Sequence, residues 1–384
     1  MNEIIIATIM RPTGETGVQT HFNCYRGYLS EQQIKHQLIT PFSYYKFLVY
    51  PIFAVRKILN KLNGEISVWW YRYWHGLFLR LALQQRLKSG EDCVVYAQCP
   101  LAADAALRAR VSARQRVIMV THFNVSQADE WVGKGKVRLG GKLFRAIREF
   151  EARVLPCLDG LVYVSRFMQT ELRQRIPAVA TLPSIVIPNF LPDPGVPQTQ
   201  SITADLINIG SLETRKNQQY LLEIIAALRE QGTALSLTIV GDGPDLAMLE
   251  AKAHELGISD LVNFAGFIKN AAPLIDTHRA CIHVATIENL PVTLIEAIAR
   301  GRPVFAAAVG GVPEVLANNA VGLALPLADA ATAARIVAKA ISNHGWMEAT
   351  GQAARERFLS TYASAVCGKR LTSFLQNVVD PAND

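Results

Sequence analysis

Two carboxylates eight positions apart, Glu288 and Glu296, stand in the run CIHVATIENLPVTLIEAIARGRPVFAAAVGGVPE at residues 281–314. The alternation at 282–286 predicts a short strand. Asn289 and Pro291 predict a helix start, because a proline near the first helical position gives up an N–H that has no partner there anyway. Gly301 is the expected stop. Glu288 then falls at the end of the strand, and Glu296 falls inside the helix among Leu294, Ile295, Ala297 and Ile298. A carboxylate in so apolar a setting is costly unless it is hydrogen-bonded. A vicinal diol, such as a ribose carries, can donate two hydrogen bonds to one carboxylate. The helix N-terminus offers free N–H groups to a phosphate. A second strand at 303–308 leads to Gly310 and Gly311, where backbone can approach a ligand closely. On these residues alone, an ordinary buried strand–helix–strand unit with Glu296 facing solvent is an equal reading.

Other residues fall at similar junctions. A first strand at 4–10 runs into RPTGETGVQTHF, where Gly14 and Gly17 precede a helix. Such a loop can cradle a phosphate or simply turn a corner, and the full G-x-G-x-x-G is absent. A strand at 117–121 delivers His122 at its carboxyl end, which is where open α/β sheets bind ligands. A lone histidine is more often structural than catalytic. A strand at 206–209 enters GSLETRKNQQY, with Arg215 and Lys216 in the loop before a helix. Either cation could meet a diphosphate, or both could be solvated. The strand at 235–240 enters GDG, but Leu246 occupies the third glycine's place, so a dinucleotide site is poorly supported. His283 reads as a core residue.

The run ENLPVTLIEAIARGRPV, continued by GGVPE, resembles the donor-site signature of retaining glycosyltransferases of the GT4 family: a Glu, seven residues and a second Glu. VSRFMQTEL and the V-I-P-N of residues 186–189 are also similar to that family. The resemblance covers nearly the whole chain, is strongest over 206–314 and is weak over 30–90. It implies an α/β protein of the GT-B fold, with two Rossmann-like doubly wound domains facing a cleft. The expected division is an acceptor-side domain at 1–190, a proline-rich linker at 191–205, a donor domain at 206–363, and a C-terminal helix at 364–384 crossing back to the first domain. The implied reaction moves a sugar from a nucleoside-diphosphate sugar to an acceptor hydroxyl with retained configuration, in bacterial polysaccharide or lipopolysaccharide synthesis. The implied catalytic residues are His122 and Glu288, both on the sugar. Donor binding falls to Glu296 on the ribose, Lys216 and Arg215 on the diphosphate, Asn289 and Leu290 at the helix start, and Gly17 in the first loop, near His21. Ser211 stands where the family usually has an arginine. No cofactor is implied, since the nucleotide sugar is the substrate. No D-x-D motif occurs, so metal independence is expected.

At 384 residues the chain exceeds one ordinary core, and half of it is hydrophobic. A net charge of +7 calls for an anionic partner: nucleotide, nucleic acid or membrane surface. The nucleic-acid reading rests on charge alone and is set aside. Six scattered cysteines without C-x-x-C fit a reduced cytosol. The first residues read as a strand and not a signal peptide, and no stretch offers the ~20 apolar residues of a membrane span. Residues 42–88 are aromatic and basic, with Pro51 expected to break the first half. After it, Ile52, Val55, Leu59 and Leu62 recur at helical spacing, with Arg56, Lys57 and Lys61 mostly off that line. A lipid-linked or other glycan acceptor, and peripheral contact with the anionic inner face of the cytoplasmic membrane, are the matching expectations. Against that, the helix at 69–88 leads into a strand and should pack on a sheet. Residues 126–142 read as a mobile basic loop. The alternatives are a non-catalytic nucleotide-sugar-binding protein and a GT-B epimerase; the presence of both His122 and Glu288 favours an enzyme.

Overall fold

Strands covered on both faces need continuous apolar side chains, and the sequence supplies them in runs such as IIIA and CVVYA, every residue of which is buried. The computed structural model describes residues 3–14, 16–195 and 201–379. Residues 1–2, 15, 196–200 and 380–384 lie outside the described residues, which removes the middle of the expected linker and the ends of the outer domains. The chain forms two compact units, one of Met1–Pro188 with Cys367–Asp384 and the other of Asn189–Val366.

The first unit holds six parallel strands: β1 (Ile4–Ala7), β2 (His36–Ile39), β3 (Cys93–Ala97), β4 (Gln115–Thr121), β5 (Gly160–Tyr163) and β6 (Ser184–Val186). Their order is β2-β1-β3-β4-β5-β6, with Ile5 opposite Val95 and Val95 opposite Val117. The second unit holds β7 (Ala204–Ile209), β8 (Leu237–Val240), β9 (Val262–Gly266), β10 (His278–His283), β11 (Val304–Ala307) and β12 (Gly322–Leu325). Its order is β12-β11-β10-β7-β8-β9, also parallel. The chain runs outward from β7 to β9 and then returns to lay β10 on β7's other side. Both units are therefore doubly wound, and each has a switch point, between β1 and β3 or between β7 and β10, where ligands bind at the carboxyl ends.

The first unit also carries the helices α1 (Gly17–Glu31), α2 (Lys46–Leu62) and α3 (Gly64–Leu87). Pro51 does not break the chain as its residue type suggested; it lies inside α2. The carbonyl that loses its donor belongs to Phe47, an exposed residue. Residues 126–142 are also more ordered than their composition suggested. Ser126 caps a helix over Gln127–Gly133, and Ala128 and Val137 are buried against Val68 and Ile147. As expected, α3 packs its apolar side inward, through Val68, Phe78, Leu79 and Leu83.

At the other end, the helix Ser364–Val379 contributes its residues from Cys367 onward to the first unit. There the Thr372 hydroxyl lies 3.0 Å from that of Tyr25, and Gly368 packs so close to the Tyr28 ring that a Cβ would fall 2.5 Å from it. The stretch read as a linker is anchored at its start: Phe190 and Leu191 are buried in the second unit, and Leu191 pairs with Ala363. No helix among the described residues is long and apolar enough to cross a membrane.

Candidate active site

Strand β10 ends at His283, and five residues later Glu288 is only 7% exposed. Its Oε1 receives an ion pair from Lys216, lies 3.2 Å from His283 Nε2, and is 3.9 Å from a terminal nitrogen of Arg215. Burial alone would raise this carboxyl's pKa, but the Lys216 charge and the His283 hydrogen bond outweigh it and hold it well below the usual carboxylate range. Glu288 is therefore an anion at any working pH, suited to accepting hydroxyl hydrogen bonds and unsuited to shuttling protons. Burial pushes His283 down, so it is neutral at physiological pH and gives its Nε2–H to the carboxylate. Sequence reasoning placed His283 in the core. Its burial is as expected, but its contact with Glu288 was missed; the signal was its position at the end of a strand that precedes a candidate carboxylate.

The cations come from the loop after β7, which is tied to the Glu288 loop by backbone. Thr286 N–H donates to the Arg215 carbonyl at 2.9 Å, and Asn217, in the left-handed region at φ +58°, donates its side chain to the Val284 carbonyl. Arg215 also bonds Glu213 at 3.0 Å. Ser211 is half-buried beside this loop, and its carbonyl accepts from Gln218. Gly310 completes the frame. It has φ +55°, and a Cβ there would fall 1.7 Å from the Glu288 carbonyl oxygen. Gly311 N–H donates to that same oxygen. The close approach expected of these glycines is thus made to the backbone of Glu288 itself. Gly241 and Gly243 play the same part for the loop after β8, which lies directly against Gly210 and Leu212.

The helix Val292–Ala299 follows, with Pro291 at its cap and Gly301 just past its end at φ +63°. Asn289 and Leu290 are buried immediately before it, and the Leu290 carbonyl accepts from Asn189 at 2.8 Å. Glu296 is half-buried on this helix, and its charge adds to the burial that pushes the Cys281 thiol up to about 12. The second unit therefore brings together Lys216, Arg215, Glu288 and His283, with Ser211, Asn289, Leu290 and Glu296 on the adjoining segments.

His122 and Gly17 belong to the first unit. Gln98, at the end of β3, donates its amide N–H to the Tyr96 carbonyl and turns Oε1 to His122 Nε2 at 3.1 Å. That arrangement puts the proton on Nε2 and leaves Nδ1 as the acceptor. Burial first, and the neighbouring His21 second, hold His122 well below its ordinary pKa, so the ring is neutral. His21 packs edge-on at 4.6 Å and bonds the Tyr96 hydroxyl at 3.0 Å. Gly17 opens α1 and is exposed. The organiser of its loop is Gln19, which bonds the Arg11 and Thr13 carbonyls and completes a capping box with Thr16. Neither Gln98 nor Gln19 was singled out from the sequence, because a glutamine's partners are set by the fold and not by spacing. No cluster of three metal-ligating side chains occurs among the described residues.

Residues 197–357 match the family model Glycosyl transferases group 1. The chain is 26% identical over 301 residues to the GDP-mannose-dependent alpha-(1-6)-phosphatidylinositol monomannoside mannosyltransferase of Mycobacterium tuberculosis, covering 73% of this chain and 74% of that protein. It is 27% identical over 194 residues to a Salmonella typhimurium glycosyltransferase assigned to colanic acid biosynthesis, WcaL, covering 48% of this chain and 46% of that one. Among solved structures, Anabaena HepE in complex with UDP-glucose superposes with a TM-score of 0.71 at 16% identity, over 98% of this chain and 99% of that one. The doubly wound units are those of the GT-B fold, and the chain is a GT4-like glycosyltransferase whose residues 197–357 match the group 1 family.

Proposed function

We propose that the protein transfers a sugar from a nucleoside-diphosphate sugar to an acceptor hydroxyl, with retention of configuration and without a metal ion, in the synthesis of a bacterial cell-surface polysaccharide or lipopolysaccharide. The observation that carries this reading is the buried Glu288 carboxylate, held by Lys216 and His283 at the carboxyl end of the switch-point strands. Lys216 and Arg215 are the groups that would meet the diphosphate as charge develops on it. Asn289 and Leu290, before the helix Val292–Ala299, would present backbone to the same phosphates, with Ser211 and Gly17 at the edges of the donor. Glu296 is assigned the ribose diol, Glu288 the sugar hydroxyls, and His122 a hydrogen bond to the transferred sugar. A carboxylate held as firmly in its anionic form as Glu288 is a poor nucleophile. Attack by the acceptor on the same face as the departing phosphate, which takes the proton, fits these residues better than a covalent intermediate. Metal independence is supported by the two cations beside Glu288 and by the missing D-x-D.

One of the named proteins is GDP-mannose-dependent and another was crystallised with UDP-glucose, which supports a nucleotide-sugar donor here. A lipid-linked or membrane-anchored glycan is the proposed acceptor, with the enzyme held peripherally on the cytoplasmic face of an anionic membrane. The test is turnover with a panel of nucleotide sugars, with and without a chelator. Transfer unaffected by chelator, with the product in the donor's anomeric configuration, is expected. Loss of activity that a divalent ion restores rejects metal independence, and an inverted product rejects retention.

A further inference from the structure

Among the described residues, ten of the sixteen exposed large hydrophobic side chains lie between Tyr45 and Tyr73, so the exposed apolar surface is concentrated on α2 and the start of α3. Around its axis α2 has three faces. One packs on α3: Val49 is buried, Phe53 stacks on His75 at 3.9 Å, and Arg56 lies over the Tyr71 ring at 4.1 Å. A second face is bare hydrocarbon, from Phe47 (73% exposed) through Val55 and Ile58 to Leu62 (76% exposed). Beside it runs a third arc of Lys46, Lys57 and Lys61, all exposed. The apolar stripe continues past the Asn63 corner onto α3 through Ile66, Trp69 and Tyr73. The residue spacing had grouped Ile52 and Leu59 with Val55 and Leu62, and Arg56 with the lysines. The fold separates them, because Ile52 and Leu59 are only partly exposed and Arg56 is committed to Tyr71.

We propose that the bare face of α2, extended by Ile66, Trp69 and Tyr73, docks in the plane of an anionic lipid bilayer. The apolar stripe would enter the acyl boundary, and the lysine arc would lie at the headgroups. The partner is chosen by charge and side-chain type. No Asp or Glu occurs between Glu31 and Glu65, so α2 carries no acidic side chain, and Glu65, at the start of α3, accepts from the Arg138 backbone N–H. Lysine flanking a hydrocarbon face, with tyrosine and tryptophan at its edge, is the composition of a helix lying at a membrane interface. Protein–protein interfaces, by contrast, are depleted in lysine. The docking rests on the membrane part of the proposed function for its setting and is independent of the sugar chemistry.

The test is co-sedimentation of the full chain with phosphatidylcholine vesicles and with mixed phosphatidylcholine–phosphatidylglycerol vesicles, at low and high salt. The parent is expected to pellet with the anionic vesicles and to be released by salt. Ile58→Ser with Leu62→Ser should weaken binding about tenfold or more. Lys57→Gln with Lys61→Gln should weaken it roughly fivefold per lysine at low salt. Leu359→Ser, at an exposed position in the other unit, should bind as the parent does. All these positions are exposed, and unchanged circular dichroism would show that the variants fold. A parent that stays in the supernatant with anionic vesicles overturns both the docking and the membrane setting. A parent that pellets together with both α2 variants overturns the docking alone. Lipid-free self-association that Ile58→Ser and Leu62→Ser abolish would make the face a protein interface and overturn the proposal.

Discussion

Glu288 and Lys216 neutralise each other, and the two are assigned to different parts of one donor. Their separation can be measured. Removing the carboxylate's charge in Glu288→Gln frees Lys216 for a diphosphate, so affinity for a nucleoside diphosphate should hold or tighten by up to about tenfold, the value of one charge-assisted hydrogen bond. Turnover should fall by about a hundredfold or more, as for loss of a group that acts on the reacting centre. Calorimetry beside steady-state kinetics checks both, and a parallel loss of nucleotide affinity would show that Glu288 serves the nucleotide. Glu296→Ala should do the reverse, weakening nucleotide binding by about 1.5–3 kcal/mol in a folded protein. His283 acts through Glu288. His283→Ala should lower kcat with little change in nucleotide affinity, and His283→Gln, which can still donate an N–H, should recover part of it. The carboxylate pair was legible because its spacing and neighbours are local. The contacts of Glu288 were not, since Lys216 lies 72 positions away and reaches it only through the pairing of β10 with β7.

At the scale of elements, hydrophobic pattern located the central strands, and departures came where the partner surface decides. Pro51 suggested a break because its neighbours were unknown; the exposed side of α2 accommodates it. The short helix Gln127–Gly133 hid in a polar stretch because its stability comes from Ser126 and a small buried cluster and not from its composition. HQLI at β2 carries too little alternation to be recognised without β1 beside it. The α2–α3 pair has a consequence for pH. Burial, partly offset by the Tyr71 carbonyl, holds His75 at about 3, and the ring stacks flat on Phe53. An unfolded chain would restore a value of about 6.5. The stability this group contributes is thus fully present above about pH 6.5 and is lost as pH falls from there toward about 3. Thermal denaturation from neutral to acid pH should show His75→Phe losing less stability than the parent over that window. Equal losses would mean that other groups carry the acid limb.

For the whole molecule, two doubly wound units and a returning terminal helix were legible because the fully apolar strands, the VIPN run and the proline-rich stretch punctuate the chain in order. How firmly that stretch is anchored was not legible, since Leu191 is hydrogen-bonded to Tyr362 and Ser364 of a distant segment. The helix Ser364–Val379 gives a prediction at this scale. Thr372→Val removes the hydroxyl partner of Tyr25, which should cost about 0.5–1.5 kcal/mol in chemical denaturation. A cost near zero would mean that the tyrosine finds another partner.

The same helix orders events during synthesis. The sheet of the first unit is complete in sequence by β6, yet Tyr25 and Tyr28 keep an uncovered side until Gly368 and Thr372 have been made. All of the second unit leaves the ribosome in between, as one uninterrupted stretch with its own core. The first unit is therefore completed only after the second. A nascent protein stalled before Cys367 would hold a closed second unit and a first unit still exposing aromatic surface, the state in which a chaperone would find it.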